Sequence, residues 1–534
     1  MRENAPNCFR LPPDSELDAL IDQADTPYRM IPGHPAVIEH SYFDSFEGRL
    51  FKRGWRLCWC SAPHRPTWVL TTPKRTLKRD GTPLTEGALS TPELPPDIAL
   101  PIADALGLRA LLPMATARIR RTPVDCLNMD GKTVARLHVD RIEAHIGKHG
   151  PWRFLGVRCR LLALRGYEKP LCRMRHYLSE SGRYTPCRDD LLTDCLDRLG
   201  IEPDRYSPRP RLELAPELRS DEAMKIILAA LRDIMTANVD GIIKDIDSEF
   251  LHDFRTAVRR ARTTLDQIRL VFPARRVKRL SGNLTWLGAA TTPLRDLDVH
   301  LIDFPVYRQR LPKHLRSAFA PLGDLLESRR RSELTRLRRL LKGNRFNRFM
   351  NDWQSFVETP VPTQTRLRNA GRPIHATCGK RVMKAYDRIC AEGLEIDRQA
   401  PPEALHRLRK RCKKLRYLLE LFESCLPEPG PGPIIHSLKS LQDLLGGYQD
   451  CQVQAAALAA FKVDLDAIEP RSSTAIDWLL ADLGKRQMRL RKAFHDTRRD
   501  FACTENRSLV QKLTKPLRRA SPIWQAVEKA PGSL

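Results

Sequence analysis

Apolar and polar positions follow two textures along this chain. Up to about residue 200 they come in short runs rich in β-branched and aromatic residues, broken by Pro and Gly. Trp55–Cys60, Thr67–Thr72, Ala115–Arg120, Thr133–Val139 and Phe154–Ala163 read as strands. Asp14–Ala24 and Asp189–Leu199 read as short helices, and Glu202–Arg219, with four prolines in a polar setting, as a linker. From Arg219 onward the period lengthens. Leu251, Phe254, Val258, Leu265 and Ile268 form a narrow seam at helical spacing. His252, Arg255, Arg259 and Arg262 repeat that spacing one residue later, a basic stripe about 100° round the same helix.

The helical pattern occurs twice. Leu251–Arg262 reads LHDFRTAVRRAR and Leu405–Arg416 reads LHRLRKRCKKLR, 154 residues further on. The same offset carries Leu284, Leu287, Leu294, Asp296 and Val299 onto Leu438, Leu441, Tyr448, Asp450 and Val453, and Arg331 onto Lys485. It carries Leu228 and Met235 onto Val382 and Ile389, with no insertion. A duplicated bundle follows. In the first copy four helices are expected, near 221–244, 248–272, 275–300 and 315–342, and Trp353–Pro373 should join the copies. Two such halves can pair about a pseudo-twofold axis.

Charge sharpens this division. The chain carries a formal +27, but the first 218 residues hold 33 basic and 28 acidic residues, whereas the rest hold 58 and 36. The positive field therefore belongs mainly to the helical part and points to polyanions: nucleic acid, anionic membrane or polyphosphate. The second stripe, His406, Arg409, Lys413 and Arg416, matches the first in kind, and Lys414 answers Arg260. Such stripes are usually solvated faces paired with acids at i,i+4. Here Asp253 is the only acid in the first stretch, and none precedes Glu420 in the second. Both halves are thus expected to hold cations for one anionic ligand. Asp296 and Asp450 are expected to cap a helix or orient a neighbouring arginine. The 14 cysteines form no C-x-x-C pair, and Cys58 and Cys60, two apart, suit neither a disulfide nor a zinc pair, so no metal site is expected. Unpatterned cysteines in a chain this long point to a reducing cytosol. Without an apolar run of 18 residues, neither a signal peptide nor a membrane span is expected.

Two resemblances add to these readings. Ser41–Cys60, SYFDSFEGRLFKRGWRLCWC, and Trp68–Lys74 resemble the CYTH, or triphosphate tunnel, family. Phe9-Arg10-Leu11-Pro12, Arg118, Arg120 and the strand ending at Asp140 also fit. The resemblance implies an α+β unit built on an antiparallel β-barrel or tunnel. The family's metal-binding acids are replaced. Asn4, Pro6 and Cys8 stand for its E-x-E-x-K, and Arg158, Arg160 and Leu162 for its late acidic strand. Loss of triphosphatase activity is therefore expected, because clustered carboxylates must hold Mg²⁺ or Mn²⁺ against the substrate. Arg56, Arg118, Arg120 and Arg136 read either as salt-bridged wall or as a vestigial phosphate tunnel.

The helical part resembles the CHAD family. His252–Arg262 carries its H-x-x-R-x-x-x-R-x-x-R, Arg295–Val299 its R-D-x-D-V, His406–Tyr417 its second basic helix and Leu438–Gly446 its LK-x-LQ-x-x-LG run. This implies an all-α domain of two pseudo-symmetric four-helix bundles whose basic inner face binds inorganic polyphosphate. The expected organisation is 1–205 degenerate CYTH-like, 206–218 linker, 219–520 CHAD (219–345, connector 346–374, 375–520) and 521–534 tail. The expected binding set is His252, Arg255, Arg259, Arg260, Arg262, Arg331, His406, Arg409, Lys410, Lys413, Lys414, Arg416, Lys439 and Lys485, with no catalytic residue, metal or cofactor. The reading is thus a non-enzymatic, cytoplasmic binder associated with polyphosphate granules, with no membrane partner and with homodimer formation open. A nucleic-acid binder is one alternative, though aromatics, at 7%, are too few to interleave as base-stacking platforms. An active triphosphate hydrolase is the other.

Overall fold

The computed structural model describes residues 7–12, 26–61, 66–81, 88–147, 150–187, 190–203, 206–210, 212–397, 399–466 and 470–515. The expected helix Asp14–Ala24, positions Asn4 and Pro6, and the tail 521–534 lie outside them. The chain forms two compact units, Met1–Ser207 and Pro208–Leu534.

Among the described residues the first unit is one antiparallel sheet with three α-helices. Its strands are β1 (Cys8–Leu11), β2 (Arg29–Pro32), β3 (Ala36–Asp44), β4 (Arg56–Ser61), β5 (Thr67–Thr71), β6 (Thr76–Asp80), β7 (Leu112–Leu127), β8 (Thr133–Ile146), β9 (Arg153–Leu162) and β10 (Thr185–Pro186). Their order is β10-β1-β9-β8-β7-β3-β4-β5-β6, with β2 added on β7. The expected strands are all present, but β7 and β8 run well beyond them. No ladder returns from β6 to β10 among the described residues, so the tunnel-like sheet is not closed into a barrel. Alternation along each strand serves two faces. Val124, Cys126, Leu137, Val139, Val157 and Cys159 pack under Leu171, Met174 and Leu178 of α2 (Glu168–Glu180). Phe43, Leu57, Trp68 and Leu70 pack with Ile98 and Ile102 of α1 (Pro96–Leu106). Tyr42, Cys58, Ala115, Ala117 and Ile142 meet Leu192, Cys195 and Leu196 of α3 (Leu191–Leu199).

The second unit is all-helical: α4 (Ser220–Lys244), α5 (Ser248–Gln267), α6 (Ala274–Arg310), α7 (Ala320–Lys342), α8 (Asn344–Glu358), α9 (Ile374–Glu395), α10 (Pro402–Leu421), α11 (Gly432–Asp466), α12 (Pro470–Phe501) and α13 (Thr504–Thr514). The basic seam helix α5 starts where Asp247 accepts hydrogen bonds from the Glu249 and Phe250 amides, an N-cap. The repeat helix α10 starts instead with Pro402 in its first turn. All five seam residues of the first copy are buried. Gly241 on α4 lets α5 approach closely, since a Cβ there would stand 2.2 Å from the Phe250 ring.

Each half has five helices among the described residues, not four. The connector expected over 346–374 begins inside α8, where Phe346, Phe349, Met350 and Trp353 make a buried apolar face. That face is only four turns long and precedes a Pro-rich stretch, which hid it in the sequence. The segment expected as a linker is also packed: the Leu214 amide donates to Ser424 Oγ at 3.0 Å, and Leu214 is buried.

The two halves are joined by reciprocal contacts at the 154-residue offset. Ser220 N donates to Arg372 O and Ile374 N to Leu218 O, both at 2.8 Å. Asp221 N donates to Ala370 O at 3.1 Å and His375 N to Pro216 O at 3.2 Å. Each pair interchanges under the offset, as an isologous contact requires. A shared core also joins the halves, with Leu297, Tyr307 and Phe319 from the first and Cys451, Phe461 and Ile476 from the second.

Candidate functional site

The two basic helices pack against each other, one from each half. At their joint the offset again produces reciprocal contacts. Arg260 donates to Glu420 at 2.9 Å, and Lys414 to Asp266 at 2.7 Å. Arg260 and Lys414 are repeat equivalents, as are Asp266 and Glu420. Arg260 is 3% exposed and also donates to Pro208 O at 2.7 Å. These two residues, expected among the ligand cations, instead hold the halves together, because each meets a carboxylate of the other half. The stripe spacing could not reveal acids lying 148 and 160 residues away.

The next pair of equivalents, Arg259 and Lys413, meets no carboxylate at ion-pair distance among the described residues. Burial, together with the positive charges of Arg409, Arg259 and Arg416, pulls the Lys413 ammonium down to about 7, with Asp450 opposing. Arg259 belongs to the other half, so the two stripes share one field. Arg259, Arg260 and Arg416 gather around the buried Tyr417 ring at 5.9, 5.7 and 5.7 Å. Arg416 also reaches Glu420 at 3.3 Å, so it is partly neutralised.

Small residues on the following helix shape each stripe's other flank. Arg255 donates to Gly288 O, Thr291 Oγ1 and Thr292 Oγ1 at 3.0, 2.7 and 3.1 Å. Burial lowers its pKa, yet it has no ion-pair partner among the described residues; the Asp296 charge opposes the shift. Arg262 is exposed beside Gly288. In the second half Arg409 lies beside Gly446 and reaches Asp450 at 3.3 Å, and His406 Nδ1 is 2.6 Å from Gln449 Oε1. Asp296 and Asp450 thus attend equivalent arginines. Asp298 does different work, since it and Asp245 hold Arg330 at 2.6–2.8 Å. His252 is half-buried on α5. Arg331, Lys410, Lys439 and Lys485 are exposed on α7, α10, α11 and α12, and among the described residues no hydrogen bond or ion pair ties them to this group. The sequence reading missed Gly288, Thr291, Thr292 and Gly446. The signal was there in two runs of small residues, Gly288–Thr292 and Gly446-Gly447, one helix after each basic stripe.

The first unit holds a cavity of about 570 Å³ on one face of the sheet. Ile119 and Arg121 line it, so the alternation of β7 turns Arg118 and Arg120 to the other face. Arg118 pairs there with Glu39 at 2.9 Å, whereas Arg136, on the same side of β8 as Asp140, pairs with Asp125 at 2.6 Å. Arg158 and Arg160 do face the cavity. Its carboxylates are engaged: Asp140 by Arg121 at 2.7 and 2.8 Å, and Asp190 by Arg56 at 2.8 Å. Arg158 pairs with Asp194 of α3. The wall therefore offers arginines where a divalent cation for a triphosphate would need free acids.

The family model for the CHAD domain matches residues 226–459. Among curated proteins, none matches the chain. Among solved structures, the CHAD domain from the plant Ricinus communis aligns at 20% identity over 58% of this chain and 96% of its own, with a TM-score of 0.44. PptA from Streptomyces chartreusis aligns at 18% identity over 52% of this chain and 99% of its own, with a TM-score of 0.40.

Proposed function

Because residues 226–459 form a CHAD domain, we propose that this chain is a non-enzymatic binder of inorganic polyphosphate, held on the joined basic faces of α5 and α10. One observation carries the reading. The joint gathers Arg259, Arg409 and Arg416 around Lys413, whose ammonium is held down at about 7 first by burial and then by these like charges. Cations that repel one another, two of them without a carboxylate at ion-pair distance among the described residues, favour an anion between them. Arginine contributes forked hydrogen bonds to non-bridging phosphate oxygens, and lysine a mobile point charge. A phosphate polymer offers charge at regular intervals and no bases. The Tyr417 ring at the joint is buried beneath the arginines and unavailable for stacking on a base.

The test is affinity for long-chain polyphosphate with DNA as competitor. Reversing His252, Arg255, Arg259, His406, Arg409 and Lys413 should abolish binding; unchanged binding sinks the assignment. Binding should weaken steeply with salt by counterion release. Preference for DNA would favour a nucleic-acid binder instead. The arginine-lined cavity of the first unit favours the non-enzyme reading, and metal-dependent turnover of ATP, thiamine triphosphate or tripolyphosphate would overturn it. Cytoplasmic residence at polyphosphate granules follows from the same proposal and is tested by imaging a fluorescent fusion.

A further inference from the structure

The same cavity contains a second, chemically different group. His40 on β3 and Cys60 on β4 are cross-strand partners, and Cys58 lies two residues back on β4, opposite Tyr42. Period-2 alternation places Cys58 and Cys60 on one face, and the ladder sets His40 beside them. All three line the cavity. Their ligand atoms lie within 4.8 Å of one another, the only group of three such donors among the described residues. The two sulfurs are 3.6 Å apart. Zinc–thiolate bonds of about 2.3 Å in tetrahedral geometry set two sulfurs about 3.8 Å apart, so the pair needs almost no movement to share an ion.

We propose that His40, Cys58 and Cys60 form a binding site for a thiophilic d¹⁰ cation, Cu(I) or Zn(II), inside the sheet cavity. Two thiolates and one imidazole are soft and borderline donors, which select these ions over Mg²⁺ or Mn²⁺. The Tyr42 hydroxyl stands 3.5 Å from His40 Nδ1, where it can orient the ring as the outer partner of a ligating histidine does. Three protein donors complete a trigonal site for Cu(I) and leave an open position on Zn(II). Lys78, which also lines the cavity, offsets the negative charge that a monovalent ion leaves on two thiolates. Cysteines packed into a core are usually inert; these two differ in opening onto a cavity with an imidazole beside them. In the sequence, the lack of a C-x-x-C pair and the two-residue spacing of Cys58 and Cys60 pointed away from zinc. On a strand that spacing places both sulfurs on one face.

The test uses the reduced full-length protein and thiol alkylation mapped by mass spectrometry. One equivalent of Cu(I) or of Zn(II), in separate arms, should slow alkylation of Cys58 and Cys60 at least about tenfold while exposed Cys172 reacts unchanged. The arm that protects at the lower free-metal concentration identifies the ion. His40→Gln, a half-buried change, should weaken the protecting ion by about 10–100-fold with the melting curve preserved. Equal alkylation of Cys58 and Cys60 with and without either metal overturns the proposal, as does protection that His40→Gln and Cys60→Ser leave intact.

Discussion

At the scale of residues, Lys413 is where burial and charge compete most openly. Its ammonium sits at about 7 in the folded chain because burial, Arg409, Arg259 and Arg416 outweigh Asp450. An anion bound among these groups reverses the balance and raises that value. Polyphosphate binding should therefore take up a proton above about pH 7, and affinity should fall as pH rises from there. Calorimetry in buffers of different ionisation enthalpy checks this, and Lys413→Met should abolish the uptake. The sign for stability is opposite. In the unfolded chain this lysine keeps its proton up to about 10.4, so the unfolded state binds more protons between about 7 and that value, and stability rises with pH there. Lys413→Met should consequently raise Tm at pH 7, by about 2–4 °C, while weakening binding. Arg259→Ala should cost about 1.5–3 kcal/mol of polyphosphate affinity at low salt and raise Tm slightly at pH 7, since Arg259 is exposed, joins no ion pair among the described residues and repels Lys413.

At the scale of elements, the joint between α5 and α10 is symmetric in sequence and asymmetric in energy. Arg260 is buried against Glu420, whereas the Lys414 and Asp266 side chains are 43% and 36% exposed. Glu420→Gln leaves a buried guanidinium uncompensated and should cost about 3 kcal/mol in denaturant unfolding. Asp266→Asn, at the equivalent position, should cost under about 1 kcal/mol. Against partial burial, Lys414 and Arg269 hold the Asp266 carboxyl at about 2, so its contribution is present above about pH 4 and lost as pH falls towards 2. The fifth helix of the first half is no loose connector. Trp353→Ala on α8 should cost about 3–5 kcal/mol, because the ring is 1% exposed within the bundle.

At the scale of the whole molecule, the two units divide the chemistry. A chain beginning at Pro208 should retain polyphosphate affinity within about threefold, since every residue of the joined basic face lies beyond that point. A chain beginning at Glu217 should bind less well and melt earlier. It lacks Leu214, which is buried and bonded to Ser424, and the Pro208 carbonyl that Arg260 bonds. Comparing the two truncations by affinity and melting curve separates loss of the site from loss of its scaffold.

Much was legible in order along the chain. The period of Leu251, Phe254, Val258, Leu265 and Ile268 determined a helix and its buried side, because both depend on neighbours within a few turns. The 154-residue echo determined that there are two halves, and the excess of arginine and lysine determined that their common face is cationic. Which cations stay open was not legible. Arg260 and Arg259 are adjacent and equally basic, yet one is spent on Glu420 across the joint and the other is left to the field. That choice depends on which side chain of a distant helix stands opposite, and only the tertiary structure decides it. The same holds for Cys58 and Cys60, whose spacing acquires meaning from the strand that carries them and from His40 on its neighbour.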